Sequence, residues 1–473
     1  MKKFILLCTF CWGMLVPGAR ACTSFLAGRN ATIDGSTFIT YAADSHTLYG
    51  ALKFIPAARH PKNSTMEIRE WDTNKLLGHI PQVEYTYKVV GNMNEHQLSI
   101  TESTWGGRPE LVDTTGIIDY GSLMYIALQR AKTAREAITV MTDLVSEYGY
   151  YSSGESFSIA DPEEVWIMEM IGKGPQNQGA VWVAVRIPDD CIAAHANQSR
   201  IHKFPLDDKE NCLYSPDVIS FAREQGYFNG LNKDFSFADA YAPADFGALR
   251  GCEARVWSFY NRFNSSMGKY LSYLNGKSKE YLPLYIKPDK KLSVQDMKDA
   301  MRDHFEGTPF DMTQDVGAGP FKCPYRFRPM TFKVDSVEYT NERAVATQQT
   351  AFTLVAQMRS WLPNAIGGVL WFGVDDTNTC VYVPLYACLN EVPECYSELN
   401  GSMYDLSWTS AFWIHNWVAN MSYSRYDQMI EDIRPVQKDI ETTFYVQQPV
   451  IEKVANDLYR NDPAAAHGTG RDL

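Results

Sequence analysis

The run Ala19-Arg20-Ala21-Cys22-Thr23-Ser24-Phe25 sets a small-residue cleavage rule directly against a cysteine, and most of what this chain can be follows from it. Three zones lie before it. Lys2 and Lys3 make a short positive start, residues 4–16 are apolar apart from Thr9 and Gly13, and Pro17-Gly18 breaks any helix ahead of Ala19-x-Ala21. The apolar zone is too short to cross a bilayer, which takes about 20 apolar residues. That order is the order of an export signal. Residues 1–21 are therefore predicted to be a signal peptide, and the mature chain to begin at Cys22 in the periplasm or outside the cell.

A cysteine at position one carries a thiol and an α-amine on the same residue. Such an amine titrates at about 7.7–8.0, so near neutral pH part of it is a free base. It can take the thiol proton directly or through one water, and the thiolate can then attack a carbonyl. No histidine is required. An internal cysteine cannot do this, because its nitrogen is a non-basic amide. Two other fates stay open for Cys22. It can be a buried or disulfide-bonded structural residue, or the acylated cysteine of a lipoprotein, which prefers a leucine-like residue where this chain has Ala19.

Of the 473 residues 45% are hydrophobic and 21% charged, an ordinary globular balance with ample length for a large core. Without Lys2, Lys3 and Arg20 the 44 basic residues fall by three against 56 acidic ones, so the formal net charge of -12 becomes about -15. A nucleic-acid or anionic-membrane binder leans the other way, and neither partner is expected. Beyond Cys22 the mature chain keeps Cys191, Cys212, Cys252, Cys323, Cys380, Cys388 and Cys395. Export permits disulfides, but this set is odd in number. No C-x-x-C pair exists and no histidine sits near the last three, so no zinc site is expected.

From Cys22 the text reads first as a hairpin, with strands over 22–28 and 36–41 around a turn ending in Asp34-Gly35. Its far end returns Asp44 and Ser45 toward Cys22, where Asp44 either orients the α-amine or caps a turn. Residues 50–92 read as loop-rich, broken by Pro56, Pro61 and Pro81, with one strand over 85–90. The alternating run 98–104 carries Leu98 and Ile100 on one face and continues that face with Glu102 and Thr104. A face that turns from apolar to polar suits a pocket, or a strand leaving the core.

Helices are predicted over 119–129 and 134–147, the second opened by a capping box of Thr133 and Glu136 and striped by Ile138, Met141, Leu144 and Val145. Residues 155–196 read as an antiparallel meander, with turns at Asp161-Pro162 and Pro188-Asp189 too short for crossover helices. It ends at His195-Ala196-Asn197, where the asparagine can offer an N–H to an oxyanion or cap a turn. Further helices are predicted over 215–224, 253–271, 293–304, 409–419 and 426–433, strands within 324–355, 367–373 and 380–386, and a fraying end over 461–473. No repeat, linker or domain break interrupts the text. Residues 22–473 are read as one catalytic domain with helical extensions at its C-terminal end.

Several strings are similar to those of one family. They are Cys22-Thr23-Ser24, Asp34-Gly35-Ser36-Thr37, Asp44-Ser45, Asn94-Glu95, Ala196-Asn197-Gln198, the run 302–311 (Arg-Asp-His-Phe-Glu-Gly-Thr-Pro-Phe-Asp), and Trp361-Leu362-Pro363 leading into Ile366-Gly367-Gly368-Val369. Spread over nearly all of the mature chain, they make it resemble the bacterial C69 dipeptidases, related to penicillin V acylases and bile salt hydrolases among the N-terminal-nucleophile (Ntn) hydrolases. The run 302–311 is the most specific of them. The resemblance implies an α+β fold, a four-layer αββα sandwich with two antiparallel sheets. It implies Cys22 as nucleophile and, through its α-amine, general base. Asp44 then holds the amine, Asn197 joins the oxyanion hole, and Arg255 lies near the nucleophile. Thr104 falls where acylase relatives carry a second oxyanion asparagine, and Glu102 is an equally good pocket residue.

One departure stands out. The relatives usually carry arginine three residues before the aspartate, where this chain has Tyr41. An arginine beside a thiol favours its deprotonated form, whereas tyrosine offers a hydrogen bond and no charge. Either Arg255 covers the loss, or the enzyme is slower or tuned to another substrate. The reaction implied is acyl transfer through a thioester on a dipeptide or other small amide, with no metal or organic cofactor. A carboxylate such as Glu102 near Cys22 would favour a substrate with a free ammonium, and an apolar wall an acylase; an inactive binding relative is the third reading. Assembly into a homo-oligomer is left open.

Overall fold

The computed structural model describes residues 22–326, 331–340 and 342–461. The predicted signal peptide and nearly all of the predicted fraying end lie outside these residues. Alternating apolar side chains build two large antiparallel sheets. The seven-stranded sheet runs in the order Tyr285–Ile286, Ile192–His195, Ser24–Ala27, Thr37–Asp44, Thr350–Met358, Val369–Val374, Val383–Tyr386. The eight-stranded sheet runs Cys212–Tyr214, Ala180–Ile187, Val165–Gly172, Gly154–Ala160, Ser99–Trp105, Met93–Asn94, Val89–Val90, Phe54–Ile55.

The two sheets bury each other, and helices cover their outer faces. Leu26, Ile39 and Leu354 from the first sheet share one core with Ile167, Val181 and Val183 from the second. On the far side of the first sheet, Phe25, Phe38 and Ala42 pack on the helices Ala254–Phe263 and Val294–Met301. On the far side of the second, Ile100, Ile159 and Trp166 pack on Tyr120–Arg130 and Ala134–Tyr148. His195 pins the sheets together, its imidazole bonded to Ser103 Oγ at 2.6 Å and Ser158 Oγ at 2.7 Å. Burial, with Arg200 and Arg255 adding to it, pushes this histidine down to about 3 and keeps it neutral.

The first hairpin forms as expected, with Leu26 opposite Ile39. The meander does not stay in one sheet. Gly154–Ala160, Val165–Gly172 and Ala180–Ile187 pair in sequence, but Ile192–His195 crosses over to lie beside Ser24–Ala27. The Asp189 carbonyl accepts the N–H groups of Asn30 and Ala31, tying the turn to the first hairpin and directing the strand across. The loop predicted over 50–92 contains a hairpin, Thr65–Arg69 with Leu76–Pro81. Its pattern is faint because only Ile68 and Ile80 are buried. The run 85–90 splits into Tyr85–Thr86 and Val89–Val90, which join different sheets.

The Thr133–Glu136 box is half formed. Thr133 Oγ1 accepts from the Glu136 N–H, but the Glu136 carboxylate takes the N–H of Lys132. The helix predicted over 253–271 breaks after Phe263 into a 3-10 turn, and the one predicted over 293–304 stops at Met301. The helix predicted over 426–433 instead runs from Tyr426 to Asn461, through Pro435 and Pro449. Proline removes one helical donor, but Gln437 anchors this helix by donating to the carbonyls of Asn378 and Cys380, so packing overrides the breaker. The eight cysteines of the described residues are all unpaired.

The run 302–311 ties these parts together. The Asp303 carboxylate accepts from Ser258 and from Arg262 (3.0 Å) on the Ala254–Phe263 helix. Its carbonyl accepts the N–H of Ala346 at 3.1 Å. One residue thus holds both the helix that carries Arg255 and the segment that carries Arg343.

Candidate active site

Strand pairing delivers the cysteine. Thr23 and Ala42 exchange backbone hydrogen bonds of 3.4 and 3.0 Å, which sets Cys22 beside Ala43 and Asp44. Cys22 and Tyr41 share the core between the sheets. Glu102 arrives from the facing sheet by an indirect route. Its strand carries Ile100 in the core under the helices, but Met93–Asn94 pairs that strand only at Ser99. Asn92 carries the bonding on to Ile100; past Ile100 no strand lies along this edge among the described residues, and there Glu102 contacts Cys22. The face that turns polar there therefore lines a cavity.

That cavity has a volume of about 680 Å³, and Cys22, Tyr41, Asp44, Glu102 and Thr104 all line it. The Cys22 thiol donates to Glu102 Oε1 at 3.4 Å and lies 3.8 Å from the Tyr41 hydroxyl. Tyr41 donates to the same Oε1, and Thr104 Oγ1 to Oε2 at 3.5 Å. Burial pushes the thiol up, and the charges of Glu102 and Asp44 push it further. The backbone N–H of Asp44 and the Tyr41 hydroxyl draw it back.

Behind the cysteine, Arg255 spreads its fork over four acceptors. Nη1 donates to the Cys22 carbonyl at 2.8 Å and Thr23 Oγ1 at 2.7 Å; Nη2 donates to the Ala196 carbonyl at 3.1 Å and Asn197 Oδ1 at 2.9 Å. Because a guanidinium only donates, it fixes the Asn197 amide with oxygen toward Arg255 and Nδ2 toward the Thr104 carbonyl, 2.5 Å away. Asn197 itself sits in the left-handed region at φ 58°, outside the lining of the cavity and joined to it through Arg255 and Thr104.

Asp44 is held by two residues that sequence reading missed. Arg343 pairs with its Oδ2, and Thr350 Oγ1 donates to Oδ1 at 2.6 Å. Burial still pushes Asp44 up to about 6, with Arg343 the first of the groups that oppose it. The arginine absent at position 41 is thus not replaced at the sulfur. Arg255 grips the Cys22 carbonyl, and Arg343 grips Asp44.

The predicted loop supplies the cavity's outer wall. Trp71 and Asp72, in the turn of the 65–81 hairpin, line it together with Tyr120 and Tyr125. Trp71 stacks on Tyr125 at 4.8 Å and donates its backbone N–H to Asp119, while Tyr120 Oη donates to Asp72 at 3.1 Å. Phe352 and Asn92 complete the lining. No local pattern marks these residues as a set, since four separate segments contribute them.

Among the described residues no group of three or more His, Cys, Asp or Glu side chains could hold a metal ion, and no helix is long and apolar enough to cross a membrane. Comparison with known proteins gives one consistent answer. The model of peptidase family C69 matches residues 52–439, a span that holds Glu102, Asn197, Arg255 and Arg343 and begins after Cys22 and Asp44. A probable dipeptidase of Latilactobacillus sakei is 27% identical over 425 residues, covering 86% of this chain and 82% of that protein. A probable dipeptidase of Salmonella dublin is 27% identical over 408 residues, covering 82% and 85%. Probable dipeptidase B of Lactococcus lactis is 27% identical over 432 residues, covering 87% and 83%. With well over half of its length matched by the family model, the chain belongs to peptidase family C69.

Proposed function

We propose that this chain is an exported cysteine dipeptidase of the Ntn-hydrolase type, whose mature form, residues 22–473, is one catalytic domain built as an αββα sandwich. The observation that carries this reading is the 3.4 Å contact between the Cys22 sulfur and Glu102 Oε1 in an aromatic-walled cavity. The first amine of a peptide lies two bonds from the carbonyl carbon of its first peptide bond. A residue seated with its ammonium on Glu102 therefore holds that carbon against the sulfur. Trp71, Tyr120, Tyr125 and Phe352 favour a large apolar side chain on it. The probable-dipeptidase relatives support the substrate class.

In this mechanism the α-amine of Cys22, oriented by Asp44, takes the thiol proton, and the thiolate attacks the scissile carbonyl. Asn197, its amide set by Arg255, turns a donor to the oxyanion with a backbone N–H beside it, a contribution of about 3 kcal/mol. The α-ammonium protonates the leaving amine, and a water activated by the same amine releases the thioester. Glu102, Tyr41 and Thr104 bind and orient the substrate's amino end.

The test compares protein verified by intact mass to begin at Cys22 with protein that keeps two extra residues before it. The first should hydrolyse phenylalanyl-alanine and, when trapped, show an acyl adduct on Cys22. The second, and Cys22→Ala, should lose at least about 1,000-fold in rate. Equal activity with a blocked Cys22 nitrogen would remove the α-amine from the mechanism.

A further inference from the structure

A carboxylate in contact with a thiol works against the nucleophile it adjoins, because each negative charge there disfavours the thiolate. The groups around Cys22 come from every element packed against it. They are Tyr41 and Asp44 from its hairpin, Glu102 and Thr104 from the facing sheet, and Tyr120, Tyr125 and Asp72 across the cavity. Arg255 lies behind the Cys22 carbonyl and Arg343 behind Asp44. None of the described residues lining the cavity is a lysine or arginine. The cavity thus presents carboxylates to the sulfur, while Arg255 is held by the Cys22 and Ala196 carbonyls, Thr23 and Asn197, and Arg343 by Asp44.

Resting on the function proposed above, we infer that the substrate's own ammonium completes the nucleophile: seated on Glu102 Oε1, it takes the place of the thiol proton there, so that the thiolate forms only under an unblocked N-terminus. The thiol now donates to Oε1 at 3.4 Å. When an ammonium donates to that oxygen instead, the thiol proton passes to the α-amine of Cys22, and the substrate keeps its own three protons. Tyr41 and Thr104 remain on the carboxylate throughout. A second acceptor stands ready in Asn92, which lines the same cavity, is 1% exposed, and whose Oδ1 has no hydrogen-bond partner among the described residues. Glu102 is then a specificity residue that reads the amine and converts its presence into reactivity. Selection between free and blocked peptides would appear in the chemical step as well as in binding.

The experiment gives mature enzyme two compounds with the same scissile bond, phenylalanyl-alanine and its des-amino analogue 3-phenylpropionyl-alanine. The analogue should lose about 100-fold in kcat, with less than about a tenfold change in KM, and its pH–rate curve should move to higher pH. Methylammonium in solution should restore part of that rate with saturation. In Glu102→Gln the two compounds should come within about threefold of each other, and methylammonium should have no effect. Rescue is read on the unaltered enzyme, so it decides even where the variant folds poorly. A loss confined to KM, with superposable pH curves and no rescue, would overturn the inference and leave the dipeptidase reading intact. Failure to turn over either compound, in protein shown to begin at Cys22, would bring down the reading on which the inference rests.

Discussion

Two clusters of buried charge in this molecule use the same residue types to opposite ends. Behind the seven-stranded sheet, Glu441 is enclosed by Arg302, by Lys298 at 4.0 Å and by the N–H of Tyr382 at 2.9 Å. Lys298 also lies 3.6 Å over the Trp371 ring, and burial pushes it down to about 8. There the anion is surrounded by its partners, and the cluster closes. At Cys22 the balance runs the other way. Glu102 and Asp44 both face the thiol, while Arg343 is held by Asp44 and Arg255 by backbone carbonyls, Thr23 and Asn197. A closed cluster fastens a helix to a sheet; one left short of a positive charge can take it from a ligand. Size does not separate them, since a groove of about 1730 Å³ beside Arg302 and Glu441 exceeds the Cys22 cavity and none of the described residues lining it is a cysteine.

Three substitutions press on that contrast. The largest effect on catalysis belongs to Asp44→Asn, expected to lower kcat/KM about 100-fold by releasing the α-amine. Burial pushes Asp44 up to about 6, so wild-type kcat/KM should rise with pH through about 6 as this carboxylate gains its charge. The variant should lose that rise, and a variant that keeps it would place the titration elsewhere. Gly121→Ala comes next. A Cβ at this position would lie 2.5 Å from the Trp71 ring, so the ring must shift. KM for phenylalanyl-alanine should rise about tenfold with kcat within about threefold, because the ring walls the cavity without touching the bond. An unchanged KM would take Trp71 out of the binding wall. Smallest in kinetics is Glu441→Gln, which leaves Lys298 and Arg302 without their anion. It should cost about 3 kcal/mol in denaturant unfolding, yet leave kcat/KM of the folded protein within about twofold. A large kinetic effect would mean that the two clusters are coupled.

The parts of the site that could be read in the sequence are those joined by short-range pairing. Cys22, Tyr41 and Asp44 sit on one hairpin, and a hairpin's register follows from its turn and its alternation. The polar end of the 98–104 run also pointed to a pocket. Alternation alone, however, would have left Glu102 under the helices, and the open strand edge that lets it reach the thiol is a matter of which strands are absent beside it. Arg343 and Thr350 lie about three hundred residues from Asp44 along the chain and carry no local mark. The hairpin bearing Trp71 has the sequence of a loop because so little of it is buried. The crossing of Ile192–His195 to the other sheet was hidden by a connection as short as that of a meander. The most recognisable string, 302–311, stands apart from the thiol and holds in place the two segments that carry its arginines.

Composition and pattern alone determined that this chain folds as mixed helix and antiparallel sheet around a large core, and which residue could serve as nucleophile. Both depend on local chemistry: the period of apolar residues, the turns between them, and a thiol placed beside a nitrogen that cleavage would free. Only the tertiary structure decided the sign of the charge around that thiol, because charge at a buried point is a sum over groups within a few ångströms, whatever their distance in sequence. The side chains in that sum are acidic at Cys22, which is the observation behind the proposed role of the substrate's own ammonium.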